Sequence, residues 1–278
     1  MTGIDKQKLR FKVENTHNLP TIPATLKNIL NFLENPSISM NKISDFISKD
    51  PVLTMKVLKM INSPVYGFPG RISSVNQAVL LLGLNVIKGM LLGVSVFELM
   101  QKAMVGLWEH SLGCAALSNL MAKKKGLKSP EDITIAGLLH DIGKVLLAVN
   151  IPEVYERLIA VTEKHGLTIL EEEKMVLGTN HGEVGSWIAN KWNFPKHLVE
   201  IIQYHHEPNR ARAARVECAI VHISDILVRA RGFGFAGDNF IPEVNQEAWD
   251  ILGFNDEDIK ELLLSMEDSL EDYEDLGE

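Results

Sequence analysis

Apolar residues recur at three- and four-residue spacing along almost the whole chain, and the alternating apolar–polar stretches that mark half-buried strands are missing. The pattern predicts an all-α protein. Helix starts are well marked at Asp50-Pro51, at Ser129-Pro130 with Glu131 and Asp132 behind it, and at Pro195 in a first turn. Each supplies a capping side chain, a first-turn proline or N-terminal acids for N–H groups that have no partner within the helix. Ser74-x-x-Gln77, Thr168-x-x-Glu171 and Asn180-x-x-Glu183 have the form of capping boxes or near relatives. Ends are legible at Lys123-Lys124-Lys125-Gly126 and before Pro152 and Pro208. Residues 62–74, with two prolines and two glycines, are the best break in the first half, and a loop at 232–245 separates the body from the end of the chain. Residues 246–276 mix apolar side chains with acids, the pattern of a docked amphipathic helix running into a solvated tail.

One apolar run, residues 78–97, has nearly the length of a membrane span. Asn85 and Lys88 lie near its centre, and a central lysine costs about 2.5–3.5 kcal/mol on insertion scales. A buried core helix is therefore expected, with no membrane contact. The formal charge of −8 over 278 residues is concentrated at one end. Residues 255–278 hold eleven carboxylates against Lys260 alone, leaving 27 basic and 25 acidic side chains in the first 254. A near-neutral body with an acidic end offers no field for nucleic acid, and none is expected as a partner. Cys114 and Cys218 stand far apart within helical patterns, with no CxxC pair and no secretory signal ahead of them. A reducing cytoplasm is the expected location.

The chemistry centres on IAGLLHDIGKVLLAV at residues 135–149, read as an apolar helix interrupted by His140, Asp141 and Lys144. A buried carboxylate needs a cation, hydrogen bonds or a metal. Asp141 could pair with Lys144 at i, i+3; it could equally belong with His110, His140, His181, His205, His206 and Asp225, five histidines and two aspartates in all. Imidazole and carboxylate suit Fe, Mn, Zn, Ni or Co, and seven such groups could hold two ions bridged by one carboxylate. Blander readings exist for each: His205 and His206 in a last helical turn, favoured there by the dipole; His110 as a satisfied core residue; Asp225 paired with Arg229 at i, i+4. His181 fits its bland reading less well, since a helix start disfavours the charged imidazole and favours the neutral, metal-ligating form. His17, His165, His197 and His222 read as ordinary.

The order His110, His140-Asp141, His181, His205-His206, Asp225 resembles the ligand pattern of the HD superfamily of metal-dependent phosphohydrolases. HDIGK and the HHE at residues 205–207 look most like its HD-GYP branch. The chain ahead of them, LPTIPATLKNILNFL at 19–33, SKDPVLTMKVLKMINSPVYG at 48–67 and ISSVNQAVLLLG at 72–83, is similar to the HDOD family. Together these stretches span most of the chain.

The resemblance implies an all-helical bacterial signalling module: a helical N-terminal lobe at 1–105 packed on an HD-like metal-binding lobe at 106–231, with a loop, amphipathic helix and acidic tail at 232–278. It implies one or two divalent transition-metal ions, the first held by His110, His140, Asp141 and Asp225, the second by His181, His205 and His206, with Asp141 between them. Asp141 and Lys144 become the catalytic candidates. Lys144, Arg210, Arg212 and Arg215 become candidates for binding a phosphate ester or nucleotide; for the three arginines a solvated positive face is the competing reading.

Pro208-Asn209-Arg210-Ala211-Arg212 stands where the HD-GYP branch has its Asp-Gly-x-Gly-Tyr-Pro signature, which speaks against cyclic di-GMP cleavage. Gly106 replaces a glutamate often found one turn before the first histidine. Three functions remain open from the sequence: a phosphohydrolase or phosphodiesterase; a non-catalytic regulatory module that binds a signalling partner, its HD-like lobe a relic or a metal-stabilised platform; and, least favoured, a metal site used for oxygen or redox chemistry, as in related all-helical HD-like folds.

Overall fold

The computed structural model describes residues 5–18, 22–66 and 71–271, and these form an all-helical chain with no strand among them. The end of the acidic tail, residues 272–278, lies outside the described residues, as do short parts of the quoted stretches, residues 19–21 and 67.

Four helices, α1 (Lys6–Glu14), α2 (Ala24–Leu33), α3 (Met40–Ser48) and α4 (Pro51–Ile61), lead into the long α5 (Val75–Ala103). Helices α2, α3 and α4 pack on α5, whereas α1 lies against the later α8 (Ile142–Asn150) and α11 (His181–Lys191). Capping follows the sequence closely. The Asp50 carboxylate accepts from the N–H groups of Val52 and Leu53, and Thr168 with Glu171 completes a reciprocal capping box. Ser129 makes no side-chain cap, and Pro195 stands just before its helix rather than inside it.

Within α5 the chain departs from helical geometry at Gly83, which takes φ 79° and ψ 170°, so the apolar run is two helical pieces joined at a kink. A positive φ of this kind is cheap only for glycine. By length and composition residues 75–97 could cross a membrane, but 61% of the apolar window is buried inside the protein. Lys88 is spent internally, its ammonium donating to the carbonyls of Trp192 at 2.8 Å and Asn193 at 3.2 Å, the open end of α11.

Helix α6 (Leu107–Lys124) is buried nearly all round, which explains its lack of a one-sided apolar stripe. Around it stand α5, α7 (Pro130–Leu139), α13 (Arg215–Ala230) and α15 (Asp256–Glu271). Small residues permit this crowding. A Cβ on Gly137 would fall 2.9 Å from the Cys114 carbonyl oxygen and 3.1 Å from the Ala115 Cα, so α7 lies directly on α6. Residues 135–149 are not one helix. The chain breaks between α7 and α8 at His140 and Asp141, the latter with φ −94° and ψ 8°. This corner lets two adjacent residues face one centre, which an unbroken helix would turn about 100° apart. The ring closes through α9 (Pro152–His165), α10 (Ile169–Leu177), α12 (Lys196–Tyr204) and α14 (Gln246–Leu252), the last packed on α13.

Candidate metal centre

All seven predicted ligand residues converge. His110 comes from the first turn of α6, His140 and Asp141 from the α7–α8 corner, His181 from the first residue of α11, His205 and His206 from the end of α12, and Asp225 from α13. The side chains of His110, His140, Asp141, His181 and His205 are fully buried, Asp225 nearly so, and His206 is 9% exposed.

Asp141 divides the cluster in two. Its Oδ2 lies 3.5 Å from His110 Nε2 and 3.3 Å from His140 Nε2; its Oδ1 lies 3.3 Å from His181 Nε2 and 3.9 Å from His205 Nε2. Asp225 completes the first side, with Oδ1 3.2 Å from His110 Nε2, and His206 the second, with Nε2 2.7 Å from that of His181.

The rings are held from behind. His140 Nδ1 faces the Gly137 carbonyl at 2.7 Å, His205 Nδ1 faces the Ile202 carbonyl at 2.8 Å, and His181 Nδ1 faces Glu173 Oε2 at 2.7 Å. With Nδ1–H donated outward, each Nε2 lone pair is left facing inward. Burial is the main force holding His205 and His206 far below the ordinary imidazole range, reinforced by neighbouring histidines, so both stay neutral. Burial alone would raise the Asp141 carboxyl, but His140, Lys144 and His181 overcome it and keep it ionised; Asp225 is kept so mainly by His110.

Five buried side-chain polar atoms here have no hydrogen-bond partner: His110 Nδ1, His140 Nε2, Asp141 Oδ1, His205 Nε2 and Asp225 Oδ1. Each such atom costs about 1–3 kcal/mol unless something satisfies it. Two sets of donor atoms lie within metal-chelating reach, His110, Cys114, His140 and Asp225 in one and Asp141, His181, His205 and His206 in the other, the atoms of each within 4.8 Å of one another. Buried imidazoles and carboxylates gathered in this way are the donor chemistry of a first-row divalent ion, so the residues fit the expected group.

The remaining candidates are placed differently. Lys144 is buried, and its ammonium binds Asp141 Oδ2 at 2.6 Å and the Ala236 carbonyl at 2.8 Å. Arg210 pairs with Glu207 at 2.6 Å and stacks over Tyr204, Arg215 pairs with Glu247, and Arg212 lines a groove with Glu200 and Tyr204. Among the described residues none of the three guanidiniums has an ion pair or hydrogen bond to the cluster. Asp225 is not paired with Arg229, which turns instead to Asp238 and the Phe240 carbonyl.

Sequence reasoning passed over three contributors. Glu173 accepts from both the backbone N–H and the ring of His181 and from the Tyr155 hydroxyl at 2.7 Å. His222, read as ordinary, bridges the His205 carbonyl and the Asn245 N–H. The loop after α13 packs on the start of α6: Phe235 N–H donates to the Gly106 carbonyl, and Gly234 presses so close that a Cβ there would clash with the His110 backbone nitrogen. Replacing the Glu173 carboxylate by an amide, Glu173→Gln, is expected to weaken metal binding about ten- to hundredfold, read by competition with a chelating dye, while the helical content stays unchanged.

Comparison with known proteins agrees with this architecture. The sequence profile of the HDOD domain matches residues 19–208. A solved HDOD domain protein of unknown function from Geobacter sulfurreducens superposes with a TM-score of 0.67 at 26% identity, covering 96% of each chain. A solved protein from Shewanella amazonensis SB2B, whose name suggests a phosphohydrolase, superposes at 0.62 with 23% identity over 94% of this chain and 97% of its own. An uncharacterized protein of Treponema pallidum (strain Nichols) is 26% identical over 193 residues, 68% of this chain but only 38% of its own length. The chain thus spans well under half of this curated relative.

Proposed function

Since the chain belongs to the HDOD family, we propose that it is a signal-transduction protein of that family whose retained dinuclear metal centre acts as a phosphohydrolase or phosphodiesterase on a phosphate ester or nucleotide. The observation that carries this reading is the buried set of donor atoms without a hydrogen bond, His140 Nε2, His205 Nε2 and Asp225 Oδ1, gathered with Asp141 Oδ1 at one centre. His110, His140 and Asp225 would hold one ion and His181, His205 and His206 the other, with Asp141 shared. When bound, two such ions acidify a water near neutral pH and offset charge on phosphoryl oxygens.

The chain's own residues set the conditions for this. Glu173 and the Gly137 and Ile202 carbonyls fix the three rings, and Lys144 balances the Asp141 charge. His206, the only ligand with notable exposure, marks the side from which a phosphate could approach.

A second reading has its own support. The remaining ligands are sealed from solvent, and the loop carrying Ala236 is tied to the centre through Lys144. Such closure favours a metal-stabilised regulatory platform that binds a protein partner and does not turn over.

The deciding experiment loads stripped protein with Mn, Fe, Co, Ni or Zn, measures bound metal, and assays phosphomonoesters, nucleotides and cyclic dinucleotides. The enzyme reading expects close to two equivalents and hydrolysis of at least one class. Full loading with no hydrolysis of any class leaves the platform; failure to bind any of the five metals ends both forms of the proposal.

A further inference from the structure

Cys114 stands one helical turn beyond His110 on α6, buried, with its Sγ 3.6 Å from His110 Nε2. Its position follows from the packing. Gly137 lets α7 ride against the Cys114 backbone, and His140, three residues further along, is thereby brought to the same spot. Sγ, the two imidazoles and the Asp225 carboxylate all offer atoms within 4.8 Å of one another. The bland alternative is a buried thiol making a weak hydrogen bond to His110, the ordinary state of a core cysteine. Against it stands an independent observation: His140 Nε2 and Asp225 Oδ1, both buried in this same half of the centre, have no hydrogen-bond partner.

We propose that Cys114 is a thiolate ligand of the ion held by His110, His140 and Asp225, making the two halves of the centre chemically unequal. On binding, the thiol proton leaves to solvent and a sulfur lone pair enters the coordination sphere. The other half, Asp141, His181, His205 and His206, offers only nitrogen and oxygen. Soft sulfur favours Fe2+, Co2+ or Zn2+ over Mn2+ and Mg2+, so the Cys114 half selects the softer ion while its neighbour also accepts a harder one. This assignment rests on the dinuclear reading above and specifies one of its two positions.

The test titrates Co2+ into the metal-stripped full chain and follows the sulfur-to-cobalt charge-transfer band in the near ultraviolet together with bound cobalt. Wild type is expected to show the band. Cys114→Ser and Cys114→Ala are expected to lose it while still binding cobalt, and Cys218→Ser to keep it. Cys218 is the internal control because its Sγ sits at the Glu200 carbonyl and belongs to neither donor set. Cobalt bound by wild type without the band, or a band that survives in Cys114→Ser, overturns the sulfur ligand and leaves the dinuclear reading standing. No cobalt bound by wild type removes the dinuclear reading and the sulfur ligand with it.

Discussion

Asp141→Ala protein is expected to bind neither ion and to be less stable than wild type even before metal is added. The two losses have separate causes. Asp141 faces two histidines in each half, Oδ2 toward His110 and His140 and Oδ1 toward His181 and His205, whereas Asp225 reaches the second half only at His206 Nδ1, 3.9 Å away. Without it the second half keeps only three histidines, the first keeps His110, His140, Asp225 and Cys114, and both lose the anion that offsets the charge between two cations. The stability loss comes from Lys144, whose buried ammonium would keep only the Ala236 carbonyl. Stranding a buried charge by removing its partner costs about 3–5 kcal/mol.

Metal analysis after reconstitution and denaturant unfolding of the stripped proteins read the two effects. The double variant Asp141→Ala with Lys144→Met separates them, since it should recover most of the stability and none of the metal. Added metal should raise the unfolding free energy of wild type, by about 2.7 kcal/mol at a hundred times the dissociation constant, and leave both variants unmoved. One full equivalent retained by Asp141→Ala would mean two independent mononuclear sites and no bridge.

Why the centre was legible at all comes down to where its ligands sit. His140, Asp141, His181, His205 and Asp225 are polar residues in or beside apolar runs at helix ends and faces, where a solvated role is hard to sustain, so their order along the chain carried the signal. The helical architecture was legible for the related reason that apolar periodicity and capping residues are local. What escaped has a physical explanation in each case. Glu173 is the last of three successive glutamates, a run typical of a solvated face, although it stands four residues from both Ile169 and Leu177 on the buried stripe of α10. Cys114 resembles a core apolar residue until its neighbours are known. Ala236 contributes a backbone carbonyl, which no side-chain pattern announces. Arg210, Arg212 and Arg215 show why proximity in sequence says little about a site: beyond His206 the chain turns through Pro208 to the surface, where Arg210 and Arg215 meet carboxylates.

Gly143→Ala is expected to cost stability and the His181-side ion together, although alanine in a helix ordinarily gains about 0.5–1 kcal/mol over glycine. The reversed sign comes from the approach of α8 to α11. A Cβ at position 143 would lie 1.8 Å from the His181 carbonyl oxygen, 2.6 Å from its carbonyl carbon and 2.9 Å from its Cα. These are backbone atoms of the first residue of α11, and they cannot swing aside as a side chain would. His181 is further pinned by Glu173 through both its N–H and its ring. Relief therefore requires α8 and α11 to separate, which pulls Asp141, at the start of α8, away from His181 Nε2.

Overpacking of this kind costs about 1–3 kcal/mol and sometimes more. Gly185→Ala is the comparison, because its closest contact, 2.8 Å, is the Ile202 side-chain methyl, which can shift, and it should lose less stability and keep both ions. Denaturant midpoints and metal stoichiometry of the two variants check this. Wild-type stability with full metal in Gly143→Ala would show that the α8–α11 contact does not set the geometry of the centre.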